Sequence, residues 1–198
     1  MNNLLDATFA HPRGLFGRLG GALMARATTE RNAWTLSLLS LPPDAHVLEI
    51  GFGPGALIQA LVEVVPQVSI EGVDPSPVML RQATERNQRA ITEWRVHLQL
   101  GSALPLPFAD ATFEVVLSAN SIFFWPDPEA SLREIHRVLA PAGRVALVLQ
   151  PIWAKTDDDV RALGAEYAER LTTAGFPQVQ VIFKSMRPKA SVCVLGNA

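Results

Sequence analysis

The sequence predicts an α/β fold: a single domain built on a doubly wound, mostly parallel sheet. Three observations carry that expectation. Short apolar runs alternate with helically spaced ones, the first apolar run enters a glycine-rich turn that opens a helix, and the last two runs lie too close together to be joined by a helix. Strands covered by helices on both faces read as continuous apolar runs, and Val115-Val116-Leu117 and Val145-Ala146-Leu147-Val148-Leu149 are of that kind.

Taken in order, strands are expected at 47–51, 68–74, 96–100, 113–118 and 144–149. After the glycine turn, Leu57, Leu61 and Val64 form one helical stripe. Ser76 then Pro77 is an N-cap and first-turn pair, from which a helix is expected to run to about Trp94. Asp127 and Pro128 repeat that signal ahead of Leu132, Ile135, His136 and Leu139, and Pro141 with Gly143 stops the pattern. A last helix from Asp157 places Val160, Leu163, Tyr167 and Leu171 on one face and ends near Gly175. Residues 179–183 and 191–195 then read as strands joined by a short polar turn around Pro188, which requires antiparallel pairing.

Composition narrows the function. The chain has 198 residues, 48% hydrophobic and 18% charged, enough for one domain with a single core and no separate substrate domain. A formal net charge of −2 and the lack of any Lys/Arg-rich run give no long-range attraction to nucleic acid, so no nucleic-acid partner is expected. One cysteine, Cys193, forms no internal disulfide, and the four histidines lack ligand spacing, so no metal is expected. Asp157-Asp158-Asp159 reads as acids at a helix start, favoured by the macrodipole, in preference to a cation site. Without a signal-peptide core or a run of membrane-spanning length, a cytoplasmic location and no stable membrane insertion are expected.

The most informative stretch is Val47-Leu48-Glu49-Ile50-Gly51-Phe52-Gly53-Pro54-Gly55, with Asp74 ending the next strand. Alternating glycines let the backbone turn sharply and lie against a ligand. A carboxylate about 20 residues further on suits paired ribose hydroxyls. The glycine pattern alone is weak: Gly51, Gly53 and Ala56 also satisfy the dinucleotide fingerprint, and a tight turn without a ligand is the bland alternative. A Walker loop is excluded, since no Gly-Lys-Ser/Thr follows Gly55.

Together with Gly72-Val73-Asp74-Pro75-Ser76, the run from Leu104 to Glu114 (LPLPFADATFE) and the run from Glu134 to Gly143 (EIHRVLAPAG), these motifs resemble class I S-adenosylmethionine-dependent methyltransferases, and most of all the ubiquinone/menaquinone-biosynthesis-like group often labelled type 11. The resemblance covers about residue 41 to the C-terminus. It implies a Rossmann-like seven-stranded sheet whose final strand inserts antiparallel, a methyltransferase domain over 41–198, and S-adenosylmethionine as cofactor. By the same resemblance, Glu49 and the loop Gly51, Phe52, Gly53 and Gly55 would hold the methionine end. Asp74 would take the ribose hydroxyls, with Pro75 or Ser76 alongside the adenine, Ser102 and Ala103 at its edge, and Ser118 with Asn120 on the floor near the sulfonium. The chain departs from the family pattern at Ser102, where an acid is common, at Ile122-Phe123-Phe124-Trp125-Pro126, which lacks a histidine, and at Pro141-Ala142-Gly143, commonly Pro-Gly-Gly.

Methyl transfer from a sulfonium asks chiefly for alignment, worth up to roughly 7–11 kcal/mol. A base is needed only when the acceptor must lose a proton, and His11 is the candidate; a surface histidine beside Pro12 is the plainer reading. His46, His97 and His136 read as structural, and Cys193 as a small core residue. Phe123, Phe124, Trp125 and Trp153 lie where loops leave the strands' carboxyl ends, either as a wall for an apolar or aromatic acceptor or as packing beneath a helix. Residues 1–40 carry Leu15, Phe16, Leu19, Leu23 and Ala27 at roughly helical spacing among several glycines, which favours a helical lid over a membrane-surface helix.

The expected function is therefore in-line methyl transfer to a small, apolar or aromatic acceptor. Two alternatives stand beside it. One is a non-catalytic cofactor-binding or scaffold protein; the other is a nicotinamide-dependent reductase, which lacks its Tyr-x-x-x-Lys pair here because the sole tyrosine is Tyr167 and position 171 is Leu. DNA amino-methylation is disfavoured, since Asn120-Ser121-Ile122-Phe123 lacks the two prolines of that motif.

Overall fold

In the computed structural model, which describes residues 28–198, every expected strand is present. A helix α1 covers 28–38. There follow β1 (His46–Ile50), α2 (Ala56–Val64), β2 (Ser69–Asp74), α3 (Pro77–Arg86), α4 (Gln88–Thr92), β3 (Val96–Leu100), β4 (Phe113–Ala119), α5 (Pro128–Val138), β5 (Leu139–Leu149), α6 (Asp157–Thr173), β6 (Gln178–Lys184) and β7 (Ser191–Asn197). The strands form one seven-stranded sheet in the order β3-β2-β1-β4-β5-β7-β6. All pairings are parallel except that β7 runs antiparallel to both β5 and β6, as the short turn after β6 demands.

Strand alternation splits the core into two layers. Val47, Val115, Leu117, Ala146, Val148, Cys193 and Leu195 face α1 and α2, packing on Trp34, Leu57, Ile58 and Leu61. Leu48, Ile50, Val116, Val145, Leu147, Leu149, Val192 and Val194 face α5 and α6, packing on Leu132, Ile135, Val160 and Leu171. Each fully buried side chain of this size contributes about 1.5–3 kcal/mol, so the central strands β1, β4, β5 and β7 anchor the molecule. Cys193 is fully buried, and desolvation pushes its thiol up to about 12, in keeping with an inert core residue.

Two boundaries differ from expectation. The helix after Ser76 breaks at Asn87, whose buried side chain donates to Gly55 O at 3.1 Å and Ala83 O at 2.9 Å. That asparagine ties the glycine turn to the end of α3. Strand β5 begins at Leu139, opposite Phe113, well before position 144, with a register shift where the chain bulges through Ala142 at φ 62°. The remaining helix signals hold: Ser76 accepts from Met79 N, Asp127 from Ala130 N, and Thr156 with Asp159 forms a capping box. The acids at 157–159 are accounted for by that helix start.

Of the segment expected as a lid, residues 1–27 lie outside the described residues, and with them His11, Leu15, Phe16, Leu19, Leu23 and Ala27. Residues 28–38 are helical, and Asn32, Trp34 and Thr35 are buried against the domain. No described helix is long and apolar enough to cross a membrane.

Candidate functional site

The sheet's strand order reverses between β1 and β4, and the crevice outside their carboxyl ends is where open α/β sheets bind ligands. From β1 the chain turns through Gly51, Gly53 and Gly55, all at positive φ (73°, 53° and 75°). A Cβ on Gly51 would lie 2.2 Å from Ser121 Cβ, and one on Gly55 2.6 Å from Asn87 Nδ2. At Gly53 it would meet nothing within 4 Å. Gly51 and Gly55 are thus required by packing, while Gly53 leaves open a cradle that a side chain would fill.

The amides of these glycines are already used. Gly51 N–H donates to Val73 O at 2.7 Å, Gly55 N–H to Phe52 O at 3.0 Å, and Gly53 N–H to Asp74 Oδ2 at 2.9 Å. A pyrophosphate needs free donors at such a turn, so the dinucleotide reading loses its main physical support. Asp74 itself is buried, its Oδ1 accepting from Ser76 N–H at 2.9 Å. Each carboxylate oxygen keeps a second lone pair for a ligand.

A cavity of about 510 Å³ opens over this turn, and Gly51, Gly53, Asp74, Pro75, Ser102, Ala103, Asn120, Phe124 and Trp125 line it. A larger hollow of about 700 Å³ lies between α1 and the outer side of α2, bordered by Asn32, Pro54 and Glu63, but takes in neither Asp74 nor the ends of β4. The smaller cavity is the one that joins the turn, the acid and an apolar wall.

Several expected residues stand elsewhere. Phe52 is buried in the core, its ring 2.8 Å from where a Cβ on Gly72 would stand, and so packs the turn against β2 instead of lining the cavity. Ser76 serves as helix cap, and Gly55 abuts Asn87. Ser118 is buried beneath the floor, hydrogen-bonded at 2.8 Å to Ser121, which itself donates to Ile50 O at 2.7 Å. Ser121, which lines the cavity, takes the position expected of Ser118. Ser102 reaches the cavity, but its hydroxyl closes a local turn with Leu104 O and N, so it offers a ligand little donor capacity. The aromatic run divides. Phe123 packs edge-on against Trp153 and Tyr167, whereas Phe124, 82% exposed, and Trp125 face the cavity. Tyr167 is buried in that packing, not placed as an acid for hydride transfer.

The loop carrying Ser102 and Ala103 is held by Arg137. Its guanidinium pairs with Glu134 and Asp110 and donates to Phe108 O and Leu106 O, while Glu134 accepts from Leu106 N–H. The helical spacing of Glu134 and Arg137 signals a pair, but nothing local names the loop they would clamp. His46 stacks on Phe113, His97 pairs with Glu71 on the surface, and His136 packs on Phe176, so all three are structural.

Glu49 is 2% exposed, its Oε2 without a hydrogen-bond partner. Burial pushes its carboxyl up to about 8; Arg31 opposes the shift and Asp74 adds to it. An orphaned buried carboxyl oxygen two positions before Gly51, beside the open cradle at Gly53, fits a ligand that brings a cation. Unfolded, Glu49 titrates near its ordinary 4.5, so the folded state binds the extra proton between about 4.5 and 8. Stability from this group is therefore fully present below 4.5 and lost as pH rises through 8. Without ligand, the thermal midpoint is expected to fall between pH 6 and 8, and Glu49→Gln to flatten the fall. An identical slope in the variant would refute the assignment.

The family profile described as a methyltransferase domain matches residues 48–147. The uncharacterized methyltransferase YdaC of Bacillus subtilis is 30% identical over 180 residues, covering 90% of this chain and 97% of that protein. The chloroplastic 2-methyl-6-phytyl-1,4-hydroquinone methyltransferase of Arabidopsis thaliana is 32% identical over 154 residues, or 74% of this chain, which spans only 44% of that longer protein. Among solved structures, an S-adenosylmethionine-dependent methyltransferase from Aquifex aeolicus superposes with a TM-score of 0.68 at 19% identity, covering 84% of this chain and 88% of the other.

Proposed function

We propose that this chain, which belongs to the S-adenosylmethionine-dependent methyltransferase family, moves the cofactor's methyl group in line to a small apolar or aromatic acceptor. When bound, the cofactor supplies a methyl group already activated by its sulfonium. The protein's part is to bind, orient and exclude water. Asp74 takes the ribose hydroxyls on its free lone pairs, Gly53 leaves room for the backbone to lie against the ligand, and Pro75 and Ala103 border the adenine.

The observation that carries the acceptor class is the make-up of the cavity. Asp74 is the one titratable residue among its described lining residues, while Phe124, Trp125 and Pro126 form one wall. With no other ionisable side chain in the cavity lining, the acceptor half suits an acceptor that is nucleophilic by itself, such as an electron-rich ring whose displaced proton passes to solvent, and the hydroquinone named for the Arabidopsis relative belongs to that chemical class. Calorimetric titration with S-adenosylhomocysteine and with NADH tests the cofactor half: the first is expected to bind and the second not, and the reverse would overturn the proposal. For the acceptor half, Phe124→Ala is expected to raise the acceptor KM about tenfold, or about 1.4 kcal/mol of lost apolar contact, with the S-adenosylhomocysteine Kd unchanged. An unmoved KM would remove Phe124 from the acceptor wall.

A further inference from the structure

Buried polar atoms are nearly always hydrogen-bonded, so a cluster that is not points to a missing partner. Four buried side-chain atoms lack one among the described residues, and three of them are Arg31 Nε, Asn32 Oδ1 and Glu49 Oε2. Arg31 and Glu49 feel each other's charge, yet their charged atoms do not come within the 4.0 Å of an ion pair. Asp74, on β2, is the other charge acting on Glu49.

Arg31 is directed toward the carboxyl ends of the strands. Its Nη1 donates to Gln150 Oε1 at 3.4 Å, and Gln150 N–H donates at 2.7 Å to Asn120 Oδ1, on a residue that lines the cavity. A guanidinium and a carboxyl group held apart, each with an unmet hydrogen-bonding atom, complement a zwitterion: its ammonium meets the carboxyl and favours that group's ionised form, and its carboxylate meets the guanidinium.

We propose that Arg31 receives the α-carboxylate of the cofactor's amino-acid end while Glu49 receives its α-ammonium, which makes helix α1 part of the binding site. The resemblance implied Glu49 and the glycine loop for this end; the contribution of Arg31 and of α1 is new and rests on the S-adenosylmethionine reading above. The α-ammonium also gives the orphaned Oε2 of Glu49 a cationic partner that favours its ionised form, whereas a ligand without that end leaves Arg31 Nε and the Glu49 carboxyl unmet.

The test compares S-adenosylhomocysteine with 5′-methylthioadenosine, which keeps the adenosine and lacks the amino-acid end, by calorimetric titration of wild type, Arg31→Gln and Arg31→Lys. Wild type is expected to bind S-adenosylhomocysteine at least tenfold more tightly. Arg31→Gln should lose about tenfold for that ligand and nothing for methylthioadenosine, and Arg31→Lys, which keeps the charge, should retain part of the preference. If Arg31→Gln weakens both ligands alike, or neither, Arg31 does not touch the amino-acid end. Equal wild-type affinity for the two ligands overturns this inference alone, whereas binding of neither overturns the adenosyl reading and this inference with it.

Discussion

Gly51→Ala is expected to destabilise the protein by about 3–5 kcal/mol, a large part of the roughly 5–15 kcal/mol that holds a domain of this kind together. Two causes add. An L-residue at φ 73° costs roughly 1–2 kcal/mol, and the new Cβ would stand 2.2 Å from Ser121 Cβ and 2.6 Å from Ser121 Oγ. Ser121 cannot easily yield, because its hydroxyl holds Ile50 O and Ser118, tying the end of β1 to the end of β4. Gly53→Ala is the control: its φ is 53° and its Cβ meets nothing, so only the backbone cost of about 1 kcal/mol should appear. Urea denaturation of both variants, with Gly51→Ala/Ser121→Gly as the relief of the overlap, measures the difference. Equal midpoints for Gly51→Ala and Gly53→Ala would show that the turn is not packed as described.

This contact illustrates where sequence reading stops. The strands, the helix caps and the antiparallel end of the sheet were legible because each rests on local signals: apolar runs at 115–117 and 145–149, Ser76-Pro77, Asp127-Pro128, and too few residues around Pro188 for a crossover. The glycine turn and Asp74 were legible for the same reason. What the turn packs against was not, since Ser121 and Asn87 come from distant elements and carry no local mark of that contact.

The aromatic run shows the same limit within four residues. Phe123 and Phe124 are adjacent in a short helical turn, so they point in different directions, one onto Trp153 and Tyr167, the other toward the cavity. Sequence position placed the run at the correct end of the sheet, but the choice of face depends on how the turn is set down by Ile122, which is fully buried. Ser118 and Ser121 exchange roles for the same reason: the strand ends at Ala119 and the chain swings through Asn120 at φ 60°, which brings Ser121 back over the floor and leaves Ser118 beneath it.

Asp74→Ala is expected to lower cofactor affinity about a hundredfold, more than the loss of one ribose contact would give. The carboxylate has two tasks. On the proposed assignment its free lone pairs accept from the ribose, and its bonds to Gly53 N–H and Ser76 N–H at 2.9 Å each fix the turn and the start of α3 relative to each other. Hydrogen bonds to a charged group are worth about 1.5–3 kcal/mol, so removing the acid releases the turn as well as the ligand. The two tasks separate in a ligand that lacks the ribose hydroxyls. Wild type should bind S-adenosylhomocysteine much more tightly than its 2′,3′-dideoxy analogue, while Asp74→Ala should bind the two alike and both weakly, the shared weakness reporting the loosened turn. If the alanine variant still prefers the hydroxylated ligand, another group holds the ribose and Asp74 is a fastening of the turn alone.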